Sequence, residues 1–174
     1  MIIEFSEFIF FGVIFSYLGI VIIYDYFMHN KFNYKYRFID LCLFLSFIFI
    51  ISQTLFPIQL DTNFNGFEIY NLIPFKVPIS IYIDYDFSYF IHQVFGNIAL
   101  FIPFGFFIFL KNSNVRKSIL IIFLLTLSIE FIQGFLPYRY CEIDDVLLNT
   151  LGGYIGILIC KVVNKRHIEV LTDT

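Results

Sequence analysis

Five apolar stretches separated by polar turns organise this sequence, at about 8–24, 38–60, 87–110, 118–136 and 143–163. Each is long enough, or nearly so, to cross a hydrocarbon core of about 30 Å as a helix, which takes roughly 17 to 25 residues. The pattern predicts an all-α fold, an integral membrane bundle of about five transmembrane helices forming one domain over residues 1–174. The stretches are interrupted at a few positions. Gln53 and Pro57 break the second. His92, Gln93, Gly96, Asn97 and Pro103 lie in the third, and Glu130 and Gln133 in the fourth. The fifth opens on Glu142, Asp144 and Asp145, shortly after Arg139.

Basic residues orient the bundle. Lys31, Lys35 and Arg37 fall in one turn, Lys111, Arg116 and Lys117 in another, and Lys161, Lys165 and Arg166 in the tail, nine of the 11 Lys and Arg. In a five-span chain these share one side, leaving Lys76 and Arg139 opposite with Asp61, Glu68, Asp84, Asp86 and Glu142. Because cytoplasmic loops carry the excess of Lys and Arg, the N-terminus is expected outside and the C-terminus in the cytoplasm. The loop at about 61–86, with its row Tyr82, Tyr85 and Tyr89, is then expected on the outer membrane surface. Glu4 and Glu7 precede the first stretch where a secretory signal would carry Lys or Arg, so that stretch is expected to be a retained span.

Composition reinforces the membrane assignment. The chain is 59% hydrophobic and only 14% charged, with a mean hydropathy of +0.83, too apolar for a soluble domain of 174 residues. The net charge of −3 is segregated rather than spread, and no nucleic-acid-binding motif is present, which argues against nucleic acid as a partner. Three cysteines show no metal spacing and no disulfide framework. The partner expected from composition is the lipid bilayer; the sequence leaves the oligomeric state open.

Helical periodicity sorts the intramembrane polar residues into stripes. His92 shares a face with Gly96, with Gln93 and Asn97 adjoining. Thr126, Glu130 and Gln133 follow i, i+4, i+7, and so do Glu142, Asp145 and Asn149 at i, i+3, i+7, continued by Gly152 and Gly156. All three stripes lie in the outer half of the bundle, which suggests a pocket opening outward. Each feature also has a plainer reading. Gly152 and Gly156 form a glycine-x-x-x-glycine pattern suited to close helix packing. Gln93, Asn97 and Asn149 suit hydrogen bonds between helices, and His92 suits one within its own helix. Asp144 or Asp145 suits the N-terminus of the last helix. Arg139 suits a partner in Glu142 or in a lipid headgroup. Glu130 lies too deep to cap a helix, and a carboxylate at that depth needs a partner or a task.

Catalytic candidates are therefore Glu130, Asp144 and Asp145, with Glu130 or Asp145 as a general base. Substrate-binding candidates are His92, Asn97, Gln133, Arg139, Glu142 and Asn149, with Arg139 and Asn97 suited to an anionic group. No cofactor is predicted, although Glu130, Asp144 and Asp145 have the oxygen ligands that a hard divalent cation takes. No nucleophile motif accompanies the acids, and whether a reaction occurs stays open.

Four blocks carry a family resemblance: NLIPF at 71–75, GNIALFIPFGF at 96–106, SIEFIQ at 128–133 and EIDDVLLNTLGGYIG at 142–156. In order and spacing they resemble the VanZ family of small bacterial membrane proteins, over about 71–160. The resemblance implies a multi-pass protein of the bacterial plasma membrane associated with resistance to glycopeptide antibiotics, teicoplanin in particular. It carries Asn71, Asn97, Glu130, Gln133, Glu142, Asp144, Asp145, Asn149 and Gly152 into the family pattern. The leading expectation is a pocket that binds or acts on an outer-leaflet amphiphile: an envelope precursor, a lipid or a lipoglycopeptide. A non-catalytic binding or partner subunit is the alternative. A small transporter ranks last, because the inner halves of the helices are nearly all apolar.

Overall fold

The computed structural model describes residues 2–27, 34–59, 69–71, 73–75, 79, 83, 87–137, 139 and 141–172. Most of the expected surface loop at 61–86, with Tyr82 and Tyr85, lies outside the described residues. Five helices are present among the described residues: α1 Glu7–Phe27, α2 Tyr34–Thr54, α3 Phe87–Asn112, α4 Val115–Gln133 and α5 Ile143–Thr172. The five apolar stretches fall on these five helices in order. Three of them, over Tyr34–Thr54, Phe90–Asn112 and Ile143–Asn164, are long and apolar enough to cross a membrane.

Local chemistry moves three boundaries. The second stretch does not stay helical to residue 60. α2 ends at Thr54 because Pro57 lacks an N–H and disfavours helix in the residue before it. The chain then enters β2 (Ile58–Gln59), antiparallel to β1 (Ile2–Ile3). α4 begins at Val115, before its apolar run, because the Asn114 side chain accepts from the Lys117 N–H at 3.0 Å. It stops at Gln133, where the Gly134 N–H returns to the Glu130 carbonyl at 3.0 Å.

Many apolar side chains point outward, among them Phe15, Ile20, Phe49, Phe95, Phe123, Phe131 and Leu158. In a bilayer this is the face that lipid solvates, so burial of apolar area does not drive the helices together. Close packing and polar contacts between them do. α3 and α5 pack most extensively, with α2 against α3 and α4 against α5. The seam of α3 and α5 is made by glycines. A Cβ on Gly156 would collide with the Ile102 carbonyl oxygen and lie 2.8 Å from the Phe106 nitrogen, and one on Gly152 would collide with the Ile98 carbonyl. Phe101, Ile122, Ile129 and Ile157 fill the core around this seam.

The two ends of the bundle differ. At the end holding the α1–α2 and α3–α4 turns, Arg37 donates to Asp25 through Nε at 3.0 Å and through Nη2, while Lys111 donates to Asp40. The opposite end holds β3 (Ile69–Asn71) and β4 (Cys141–Glu142), a parallel pair with Asn71 opposite Glu142. This pairing, invisible in helical periodicity, lays the NLIPF segment beside the start of α5.

Candidate functional site

The polar positions of α3, α4 and α5 converge at the β3–β4 end. On α4, Thr126, Glu130 and Gln133 are all buried, as residues spaced i, i+4, i+7 on one helical face can be. Each reaches a different element. Thr126 Oγ1 accepts from Asn149 Nδ2 of α5 at 2.9 Å. Glu130 Oε2 accepts from the Glu142 backbone N–H at 3.0 Å. Gln133 Nε2 donates to the Thr54 carbonyl at 2.8 Å, satisfying a carbonyl in the last turn of α2 that has no partner within its helix. Across the seam, Asn97 Nδ2 of α3 donates to Asp145 Oδ1 at 2.6 Å.

The loop ends are tied to the same frame. Asp144, 3% exposed, accepts from the Phe75 N–H at 2.6 Å across 69 residues. Phe75 has φ of 65°, a left-handed conformation that costs a bulky residue about 1–2 kcal/mol, and the Asp144 bond helps hold it. Asp144 thus joins α5 to the NLIPF segment. Arg139 Nη2 donates to the Phe56 carbonyl at 3.0 Å. Glu142, one of the two plainer partners its position suggested, is not paired with it: among the described residues the Arg139 guanidinium makes no ion pair.

Two cavities share Glu130 as a wall. One is a polar cleft of about 500 Å³ lined by Gln53, Gln93, Asn97, Glu130, Gln133, Arg139, Asp145 and Asn149 among others. The second is an apolar groove of about 550 Å³ between α4 and the start of α5, lined by Leu127, Phe131, Ile132 and Val146 with Cys141 and Glu142 at its polar edge. Of the residues singled out in the sequence, Asn97, Glu130, Gln133, Arg139, Asp145 and Asn149 therefore meet in one cleft. His92 does not join them. It is exposed, and its Nδ1 lies 3.2 Å from the Ser88 carbonyl of its own helix. Asp144 lines neither cavity, and Glu142 faces the groove. Gly152 and Gly156 serve the α3–α5 seam. Gln53 and Thr54 are the contributors that the stripes missed, although Gln53 stood out as a break in an apolar run.

The cleft is rich in acceptors. Gln133 Oε1 and Asn149 Oδ1 are buried with no hydrogen-bond donor among the described residues, as is Glu142 Oε2 beside the groove. Among the described residues, no three His, Cys, Asp or Glu side chains gather as a metal-ligand set. Burial, and secondarily the charge of Asp144, raises the Glu142 carboxyl above its ordinary 4.5. Burial also raises the Cys141 thiol, reinforced by Glu130 and Glu142.

The Glu142 shift has a signed consequence. Below about pH 4.5 the carboxyl is neutral whether the chain is folded or unfolded. As the pH climbs through the raised value the folded chain must hold an ionised, half-buried group, and stability is lost. Thermal unfolding in micelles is expected to show the wild type gaining stability relative to Glu142→Gln as the pH falls from 8 towards 4.5. A difference that stays flat with pH would refute the burial account.

This fold and site define a small helical membrane protein with a polar cleft at one end of its bundle. A profile of the VanZ/LLP1 family matches residues 38–164, and the chain belongs to that family. It is 30% identical over 79 residues to Protein VanZ of Enterococcus faecium, a match covering 42% of this chain and 47% of that relative, so it spans about half the relative's length. No solved structure matches the chain.

Proposed function

We propose that the chain spans the bacterial plasma membrane five times, with its N-terminus outside and its C-terminus in the cytoplasm. Its polar cleft opens outward and binds or acts on an amphiphile of the outer leaflet: an envelope precursor, a lipid or a lipid-tailed glycopeptide. Through that ligand it contributes to glycopeptide resistance, teicoplanin being the compound to test first. One observation carries the reading. A polar cleft and an apolar groove lie side by side with Glu130 between them, an arrangement suited to a molecule with a polar head and a hydrocarbon tail. The segregation of nine of the 11 basic residues supports the orientation. The family supports the link to resistance.

Binding is the better-supported half of this proposal. Glu130 and Asp145 are each hydrogen-bonded to a neighbouring element, as residues shaping a cleft would be. If the chain is catalytic, one of these two carboxylates is the base. The test compares wild type with Glu130→Gln and Asp145→Asn at matched membrane levels. Loss of most of any protection against teicoplanin, together with a changed profile of lipids and envelope precursors, is expected from both variants. Unchanged protection and an unchanged profile would remove the proposal. Unchanged protection alongside sensitivity to bulky residues at Gly152 would favour the non-catalytic partner subunit.

A further inference from the structure

The hydrogen-bond inventory of the cleft constrains the head of its ligand. Arg139 lines the cleft, uses one Nη2 hydrogen bond on the Phe56 carbonyl, and has no carboxylate partner among the described residues. A half-buried guanidinium left in this way is a binding position for a planar or tetrahedral oxyanion. The other unused capacity has the opposite character. Gln133 is 8% exposed and Asn149 2% exposed, their amide nitrogens are committed to Thr54 and Thr126, and among the described residues their amide oxygens have no donor. A buried acceptor without a donor has lost its water and gained nothing in return, so a ligand that brings donors gains at both oxygens.

The two oxygens stand on different helices, Gln133 on α4 and Asn149 on α5, in the cleft that Glu130 and Asp145 also line. A chain or ring of hydroxyls brings a separate donor to each of these acceptors, whereas an ammonium gathers its donors at one point.

We propose that the cleft binds the headgroup of an anionic polyhydroxylated phosphodiester, with Arg139 on the phosphate and the Gln133 and Asn149 oxygens on hydroxyls of its polyol or sugar. This rests on the reading of the cleft as an amphiphile site and specifies which amphiphile. The test weighs lipids against one another on the purified wild-type chain, by native mass spectrometry from mixed micelles. The probes are phosphatidylglycerol (phosphate and hydroxyls), phosphatidylmethanol (phosphate alone), diglucosyl diacylglycerol (hydroxyls alone), phosphatidylethanolamine and soluble glycerol 1-phosphate.

Phosphatidylglycerol is expected to bind about tenfold more tightly than phosphatidylmethanol, the worth of one or two net hydrogen bonds, and by at least as much over the neutral glycolipid. Arg139→Gln is expected to abolish the preference over the glycolipid, and Arg139→Lys to restore part of it. Equal binding of phosphatidylglycerol and phosphatidylmethanol, or preference for phosphatidylethanolamine, would overturn the proposal while leaving an amphiphile site in place. Binding of glycerol 1-phosphate as tight as that of phosphatidylglycerol would uphold the headgroup chemistry and overturn the amphiphile. Failure to retain any lipid would overturn both.

Discussion

Gly156→Leu is expected to unfold or grossly loosen the bundle, a larger effect than that of any other single substitution proposed for this chain. Even a methyl group there would strike the Ile102 carbonyl and approach the Phe106 nitrogen at 2.8 Å, both backbone atoms of α3. Backbone cannot rotate out of the way as a side chain can, so the helices must separate. Overpacking a tight core typically costs about 1–3 kcal/mol, and a leucine facing backbone belongs at or beyond the top of that range. The loss is not confined to the seam. Separating α3 from α5 also pulls Asn97 from Asp145, one of the contacts that shapes the cleft. Thermal unfolding in micelles, with Gly156→Ala as the milder member of the series, measures the effect. At Gly12 and Gly19 on α1 an added methyl group would meet only open space, so Gly12→Ala and Gly19→Ala provide controls expected to be nearly neutral.

The second large effect is expected at Glu130, and it separates two roles of one residue. Glu130→Leu removes the acceptor for the Glu142 N–H and leaves that donor unpaired where β4 meets α5, at a cost of about 1–3 kcal/mol. Glu130→Gln keeps an oxygen able to accept the same bond and is expected to restore most of that stability. Any function that needs the carboxylate itself stays lost in the glutamine variant. A glutamine variant with both full stability and an unchanged profile of lipids and envelope precursors would confine Glu130 to holding β4 in place.

The helices were legible because their information is local. Length, apolar content and spacing of seven residues or fewer were enough to place five segments and to put Thr126, Glu130 and Gln133 on one face. The seam was legible for the same reason, since Gly152 and Gly156 are four residues apart on one helix. The contacts that complete the site are of another kind. Asp144 looked like a helix cap because its nearest unsatisfied donors in sequence are those of its own helix. One partner is the Phe75 N–H, 69 positions away, and nothing local in the sequence announces that pairing. Arg139 likewise had an obvious partner three residues on in Glu142, yet it reaches the Phe56 carbonyl. His92 shared a stripe with cleft residues but lies on the exposed side of it. Periodicity assigns a residue to a face, and only the neighbouring helix decides whether that face is covered.

The parallel pairing of β3 with β4 has a consequence for how the protein is made. Phe75 and Asp144 are 69 residues apart, and at roughly 5–20 residues per second a ribosome needs about 3 to 14 s to travel from one to the other. In that interval α3 and α4 are synthesised, while the NLIPF segment waits for a strand not yet translated. The cleft is therefore assembled last, when α5 arrives carrying both its acids and the glycines that let it dock. A nascent chain halted before Ile143 holds most of the helices and none of the completed site.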